Sequence, residues 1–172
     1  MDALKKLIRH VPDFPKSGIL FYDITTLLRD RSGFAQAVEC LAVPYRDSAV
    51  DLVIGIESRG FILGAAVADR LNVGFVPVRK AGKLPARTLR AEYDLEYGTD
   101  TLEIHTDALS PGQRVLMVDD LLATGGTVEA CCQLLEKTGA HVVGCAFLIE
   151  LAGLGGLERI APHEAFSLIR YE

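Results

Sequence analysis

The chain has 172 residues, 49% of them hydrophobic and 24% charged, with 18 Lys and Arg against 23 Asp and Glu for a net charge of -5. That length supports one substantial core and is short for two, so a single globular domain over residues 1–172 is expected. The acidic balance gives no broad electrostatic footprint for nucleic acid or an anionic membrane, so a small anionic ligand would need a local cationic site.

In chain order, Leu4, Leu7, Ile8 and Val11 stand at helical spacing and predict a short amphipathic helix that stops before Pro12 and Pro15. No apolar signal core precedes it, and the longest apolar run, residues 61–68, is far short of a bilayer span. A second helix is predicted from Ser32, as N-cap, through Phe34, Val38 and Leu41. Residues 52–56 then form a short apolar run, followed by the turn-like Glu57-Ser58-Arg59-Gly60, a helical stretch over 61–71 and a strand at 75–78. This order is that of a βαβ unit on a parallel sheet buried on both faces. It recurs as a strand at 114–118, a helix from about 127 to 137 and a strand at 142–148. Between the two units, residues 79–100 are polar, carry Gly82, Pro85 and Gly98, and show no convincing periodicity, which points to a functional lid.

Cys40, Cys131, Cys132 and Cys145 lack C-x-x-C spacing and read as buried thiols of a reducing compartment, hence a cytoplasmic location. His10, His105, His141 and His163 are scattered without metal-ligand spacing, and no Ser/His/Asp or Cys/His nucleophilic set is evident.

The strongest chemical signal is residues 115–127. An apolar strand delivers Asp119 and Asp120 at its carboxyl end, and the small turn Ala123-Thr124-Gly125-Gly126-Thr127 opens a helix. A helix start offers unpaired N–H groups and positive dipole to a phosphate, and glycine lets the backbone approach. Thr124 and Thr127 add hydroxyl donors. No Lys follows the glycines, so this is not a Walker A loop. Two carboxylates beside a phosphate loop make sense if they accept hydrogen bonds from sugar hydroxyls, so the implied ligand is a sugar phosphate.

This V-x-x-V-D-D-x-x-A-T-G-G-T run resembles the phosphoribosyl-pyrophosphate-binding motif of the type I phosphoribosyltransferases. Residues 12–24, 57–61, 79–85 and 95–98 look, in order and separation, like those of the adenine-specific branch, so the resemblance spans nearly the whole chain. It implies an α/β fold with a central, mainly parallel sheet flanked by helices, a small hood from about residues 1–30 and a flexible lid over about 79–100. It implies transfer of the 5-phosphoribosyl group from phosphoribosyl pyrophosphate to N9 of adenine, giving AMP and pyrophosphate in purine salvage. Mg²⁺ is the implied cofactor, held mainly by substrate and water, and a homodimer the implied assembly.

Carried over residue by residue, Asp119 and Asp120 hold the ribose hydroxyls, while Ala123, Thr124, Gly125, Gly126 and Thr127 cradle the 5-phosphate. Pyrophosphate lies near Glu57, Ser58 and Arg59, with Arg59 as its charge partner in catalysis. Arg79 and Lys83 reach pyrophosphate partly across the dimer interface. Glu96, with Tyr97 beside it in the lid, is the carboxylate that acts on the imidazole side of adenine. Backbone groups of the segment from Leu20 to Tyr22 bind the base edge, and Leu121 packs on a base face, although Tyr22 stands where some relatives have Arg. Two rivals remain: a phosphoribosyltransferase for another base such as xanthine, hypoxanthine or orotate, and a regulatory protein that keeps the fold to sense a ligand. The match over residues 12–23 opposes the first, and the absence of a basic face opposes the second.

Overall fold

The computed structural model describes residues 2–94 and 98–172. A seven-stranded sheet carries the fold, in the order β5-β6-β4-β3-β7-β8-β9. These strands are β3 (Leu52–Ile56), β4 (Gly74–Lys80), β5 (Thr88–Asp94), β6 (Thr99–His105), β7 (Arg114–Leu122), β8 (His141–Leu151) and β9 (Ala165–Tyr171). Pairings among β4, β3, β7, β8 and β9 are parallel, and β5 and β6 add antiparallel to the β4 edge.

Successive side chains of a strand point to opposite faces, so a sheet covered on both sides reads as an unbroken apolar run. Val115 and Met117 of β7 face one core with Ile54, Ile56 and Phe147; Leu116 and Val118 face the other with Val53 and Leu148. The helix α5 (Gly126–Lys137) seals the first face with Val128, Cys131, Leu134 and Leu135. On the second, α2 (Thr25–Leu28), α3 (Arg31–Ala42) and α4 (Arg59–Leu71) contribute Leu27, Val38, Leu41, Leu63 and Val67. Cys131, Cys132 and Cys145 are buried and Cys40 is half-buried; all four are free thiols.

Three expectations are corrected. The first helix is only α1 (Asp2–Lys5); Leu4 and Ile8 reach the core, but Val11 belongs to β1 (Arg9–Pro12), which pairs antiparallel with β2 (Leu20–Asp23). Pairing with β2, reinforced by an Arg9–Asp23 ion pair at 3.2 Å, wins over helical continuation. The cap of α3 is Asp30, whose Oδ1 accepts the Gly33 amide at 2.7 Å, and Ser32 falls inside the first turn. Residues 79–100 are not free of regular structure, because they include the end of β4, all of β5 and the start of β6. That hairpin is fixed by a buried charge: Glu103, 1% exposed, accepts the Gly82 amide at 3.0 Å and meets Arg90 Nε at 2.7 Å. Among the described residues, no helix is long and apolar enough to cross a membrane.

Candidate functional site

The sheet changes direction between β3 and β7. From β3 the chain moves through α4 to β4 on one side, and from β7 through α5 to β8 on the other. Loops leaving the carboxyl ends of two such strands diverge and leave a crevice, where open α/β sheets bind ligands. Here the crevice is a cleft of about 650 Å³ that gathers Glu57, Ser58 and Arg59 after β3 with Asp119, Asp120, Leu121 and the Ala123–Val128 loop after β7. Lys80, Lys83, Tyr93 and Asp100 close its far side.

The loop is shaped by Gly125, which holds φ +81° at the N-cap of α5. A side chain there would be strained and would meet the Gly156 carbonyl oxygen at 2.9 Å, so only glycine fits both the turn and the packing of α6 (Gly156–Ile160). The turn aims the first amides of a 12-residue helix at the cleft, and these have no intrahelical acceptor.

Asp119 and Asp120 lie one after the other at the end of β7. Asp119 Oδ1 accepts the Asp120 amide at 2.8 Å, and Asp120 Oδ2 pairs with Arg59 Nε at 2.7 Å. Burial raises the Asp119 pKa well above the ordinary carboxylate value, and the Asp120 charge raises it further. Burial raises Asp120 as well, against the pull of Arg59. Such a pair is primed to accept hydrogen bonds from hydroxyl groups, which would restore what desolvation removed.

The cis Glu57–Ser58 peptide opens the β3–α4 turn. Glu57 is a hub: Lys83 Nζ bonds Oε1, and Oε2 accepts Arg79 Nε at 3.3 Å and the Lys80 amide at 3.1 Å. Burial alone would raise its pKa, but these three donors outweigh burial and lower it. Lys80 pairs with Asp100 at 2.9 Å, so Arg59, Lys80 and Lys83, the cations lining the cleft, each already hold a carboxylate partner. An entering polyanion would exchange with the carboxylate partners of Arg59 and Lys83.

A second cleft of about 560 Å³ adjoins the first and shares Tyr93, Leu121, Ala123, Thr124, Gly126 and Thr127 with it. Its other walls include Leu20, Phe21, Tyr22, Leu151 and Leu154. Leu20 is exposed, whereas Tyr22 stacks on Tyr171 at 4.2 Å with His10 edge-on at 5.1 Å, which pins β2 to the last strand. The Arg59 guanidinium lies 5.3 Å from the Phe21 ring centroid, joining the two clefts.

The structure thus brings together Glu57, Ser58, Arg59, Lys83, Asp119, Asp120, Leu121 and residues 123–127, and sets Leu20 and Tyr22 next door. Arg79 stands behind the first cleft, acting on it through Glu57. Glu96 and Tyr97 lie outside the described residues. Sequence reasoning did not single out Phe21, Tyr93 or Asp100, and Lys80, which it reads as part of a cationic cluster with Arg79 and Lys83, is not among its site residues. Phe21 sat between two chosen residues, and an aromatic at a ligand-binding strand was a usable signal. Tyr93 and Asp100 become neighbours only through the β5–β6 register, where they are directly opposed.

The sequence profile of the phosphoribosyl transferase domain matches residues 26–167. An adenine phosphoribosyltransferase of Acidobacterium capsulatum is 61% identical over 170 residues, covering 99% of this chain and 94% of that protein. One from Solibacter usitatus is 59% identical over 172 residues, covering 100% and 99%. Among solved structures, the adenine phosphoribosyltransferase of Thermoanaerobacter pseudethanolicus superposes with a TM-score of 0.96 at 52% identity, covering 99% of both chains. The Saccharomyces cerevisiae enzyme, complexed with an imino-altritol bisphosphate and adenine, gives 0.92 at 38% identity, covering 97% of both.

Proposed function

The chain belongs to the adenine phosphoribosyltransferases of the phosphoribosyl transferase domain family, and from that premise we propose how its two clefts divide the work. The enzyme transfers the 5-phosphoribosyl group of phosphoribosyl pyrophosphate to N9 of adenine, yielding AMP and pyrophosphate in purine salvage. The larger cleft takes phosphoribosyl pyrophosphate. Amides of the 123–127 loop and the hydroxyls of Thr124 and Thr127 bind the 5-phosphate, supported by the start of α5. Asp119 and Asp120 accept the ribose hydroxyls. Arg59 and Lys83, with Arg79 acting through Glu57, face pyrophosphate beside Ser58.

The single observation that carries this division is that the two loops at the β3/β7 switch point place an acid pair between a helix N-terminus and a cluster of cations. A sugar with phosphate at one end and pyrophosphate at the other has that same order of charges.

Mg²⁺ fits this site as a companion of substrate. Among the described residues, no group of three or more His, Cys, Asp or Glu side chains could hold a metal. Glu57, Asp119 and Asp120, which line the cleft, would hold a hydrated Mg²⁺ through its waters, and the ion would supply charge neutralisation to the departing pyrophosphate. The protein's own share is electrostatic: Arg59 and Lys83 move from carboxylate to pyrophosphate as negative charge develops on the leaving oxygen.

The smaller cleft takes adenine. Backbone groups of Leu20 and Tyr22 bind its edge, and Phe21 and Leu121 offer apolar faces. Glu96, with Tyr97, acts on the imidazole side as the base attacks the cationic ribosyl centre. A second copy of the chain, covering Ile62 on α4, which is 45% exposed, completes a homodimer. A cytoplasmic location suits the free thiols.

Calorimetric titration of phosphoribosyl pyrophosphate with Mg²⁺ into the protein tests the division. Asp119→Ala with Asp120→Ala weakens binding by about tenfold or more, the equivalent of lost hydrogen bonds to charged groups. Unaltered affinity contradicts the ribose assignment.

A further inference from the structure

Among the described residues Tyr93 is the one phenol that lines both clefts, and it is 9% exposed. It is the penultimate residue of β5 and stands opposite Asp100 of β6 in the hairpin register. Its hydroxyl donates to Asp100 Oδ2 at 3.2 Å, and the same oxygen holds Lys80 Nζ at 2.9 Å. Asp100 Oδ1 is fixed independently, accepting the Thr101 amide at 2.8 Å. Thr127, a residue of the phosphate loop, lines both clefts with Tyr93. Asp100 Oδ2 thus joins the hairpin, through the nearly buried phenol, to the end of β4 that bears Lys80. Nothing in the mechanism given above uses it.

We propose that Tyr93 is a positioning residue for phosphoribosyl transfer: its hydroxyl, bonded to Asp100, holds the carboxylate that aims Lys80 into the larger cleft. The inference rests on that cleft's being the phosphoribosyl pyrophosphate site. A long lysine side chain loses up to about 2 kcal/mol of rotamer freedom when fixed, so a cation held in place before substrate arrives meets the developing pyrophosphate charge without reorganising. The Asp100 carboxylate is held at Oδ1 by the Thr101 amide, and the phenol is the second contact, fixing Oδ2, the oxygen on which Lys80 rests.

The effect belongs to the transition state more than to ground-state binding, so it divides between kcat and KM. The test is steady-state AMP formation by Tyr93→Phe, which removes one oxygen and keeps the ring. Expected is a kcat lower by about five- to twentyfold, with KM for adenine and phosphoribosyl pyrophosphate within about twofold of the unaltered enzyme. In a Lys80→Met background, where there is no ammonium left to aim, Tyr93→Phe should lower kcat by less than about twofold. Asp100→Asn, a change on the partly exposed side of the same contact, carries the same expectations should Tyr93→Phe fail to fold.

Unchanged kcat in Tyr93→Phe overturns the proposal. An equal loss with and without Lys80 also overturns it, because a purely structural role does not depend on that ammonium. A loss confined to KM does the same. Failure of the unaltered protein to make AMP would instead strike the proposed function, so the two are told apart.

Discussion

Gly60→Ala gives the sharpest test of how the acid pair is held. Alanine is the better helix former by about 1 kcal/mol, so at an open position of α4 the change would stabilise. Gly60 is the second residue of α4, and a Cβ there would sit 2.7 Å from Asp119 Oδ1 and 3.1 Å from the Val118 carbonyl oxygen. That carbonyl belongs to the central strand β7 and cannot yield. The Asp119 carboxylate must therefore retreat by about 0.7 Å to reach ordinary contact at 3.4 Å. Overpacking of this kind costs about 1–3 kcal/mol, which exceeds the helical gain, so a net loss of about 1 kcal/mol is expected, lowering Tm by about 2–4 °C. The retreat also strains the 2.8 Å bond to the Asp120 amide and shifts the oxygen that accepts a ribose hydroxyl. Losing one charge-assisted hydrogen bond weakens phosphoribosyl pyrophosphate by about tenfold. The assay pairs a thermal melt with KM for phosphoribosyl pyrophosphate at saturating adenine. A higher Tm with unchanged KM would refute the reasoning, because the carboxylate would then have had room to spare.

Other predictions follow from the same geometry. Asp119→Asn should abolish most activity yet raise Tm at neutral pH. The native pKa lies above the ordinary 3.8, so the ionised form destabilises the fold, and stability falls as pH rises from that value through the native pKa. The Tm advantage of the amide should therefore vanish in melts at or below the ordinary value, and an advantage that persists there would deny its electrostatic origin. Phe21→Ala should raise KM for adenine by about tenfold, from the 1–3 kcal/mol of base–aromatic stacking, and leave KM for phosphoribosyl pyrophosphate nearly unchanged; a reversed pattern would exchange the two clefts. Glu96→Ala should lower kcat by about a hundredfold or more, as loss of a general acid–base does, with titrated affinity for phosphoribosyl pyrophosphate retained. Full turnover would remove Glu96 from the mechanism.

The two βαβ units were legible because their strands are continuous apolar runs and their helices open on glycine. Leu116 and Met117 are both buried, on opposite faces, and no other element produces that pattern so economically. The 123–127 loop was legible for the same reason: its chemistry is local, written in consecutive residues. The hairpin was hidden. Leu89, Ala91 and Tyr93 alternate inward, but Ala91 is a weak signal, and on β6 the buried Glu103 interrupts Leu102 and Ile104. Glu103 is tolerated only because Arg90 and the Gly82 amide meet it, contacts that span 13 and 21 residues. The β1–β2 pair was hidden too, since Val11 lies in register with Phe21, ten residues away, while its helical spacing with Leu7 and Ile8 is immediate. The pairing of every cation in the cleft with a carboxylate could not be read from charge counts; it depends on which ends of β3, β4 and β7 the parallel register brings level.

The most direct measurement is AMP formation from phosphoribosyl pyrophosphate and adenine with Mg²⁺, run beside hypoxanthine, guanine, xanthine and orotate under the same conditions. The account predicts rapid turnover with adenine and little with the other bases. Preferred turnover of another base, or phosphoribosyl pyrophosphate binding with no turnover of any, would contradict it.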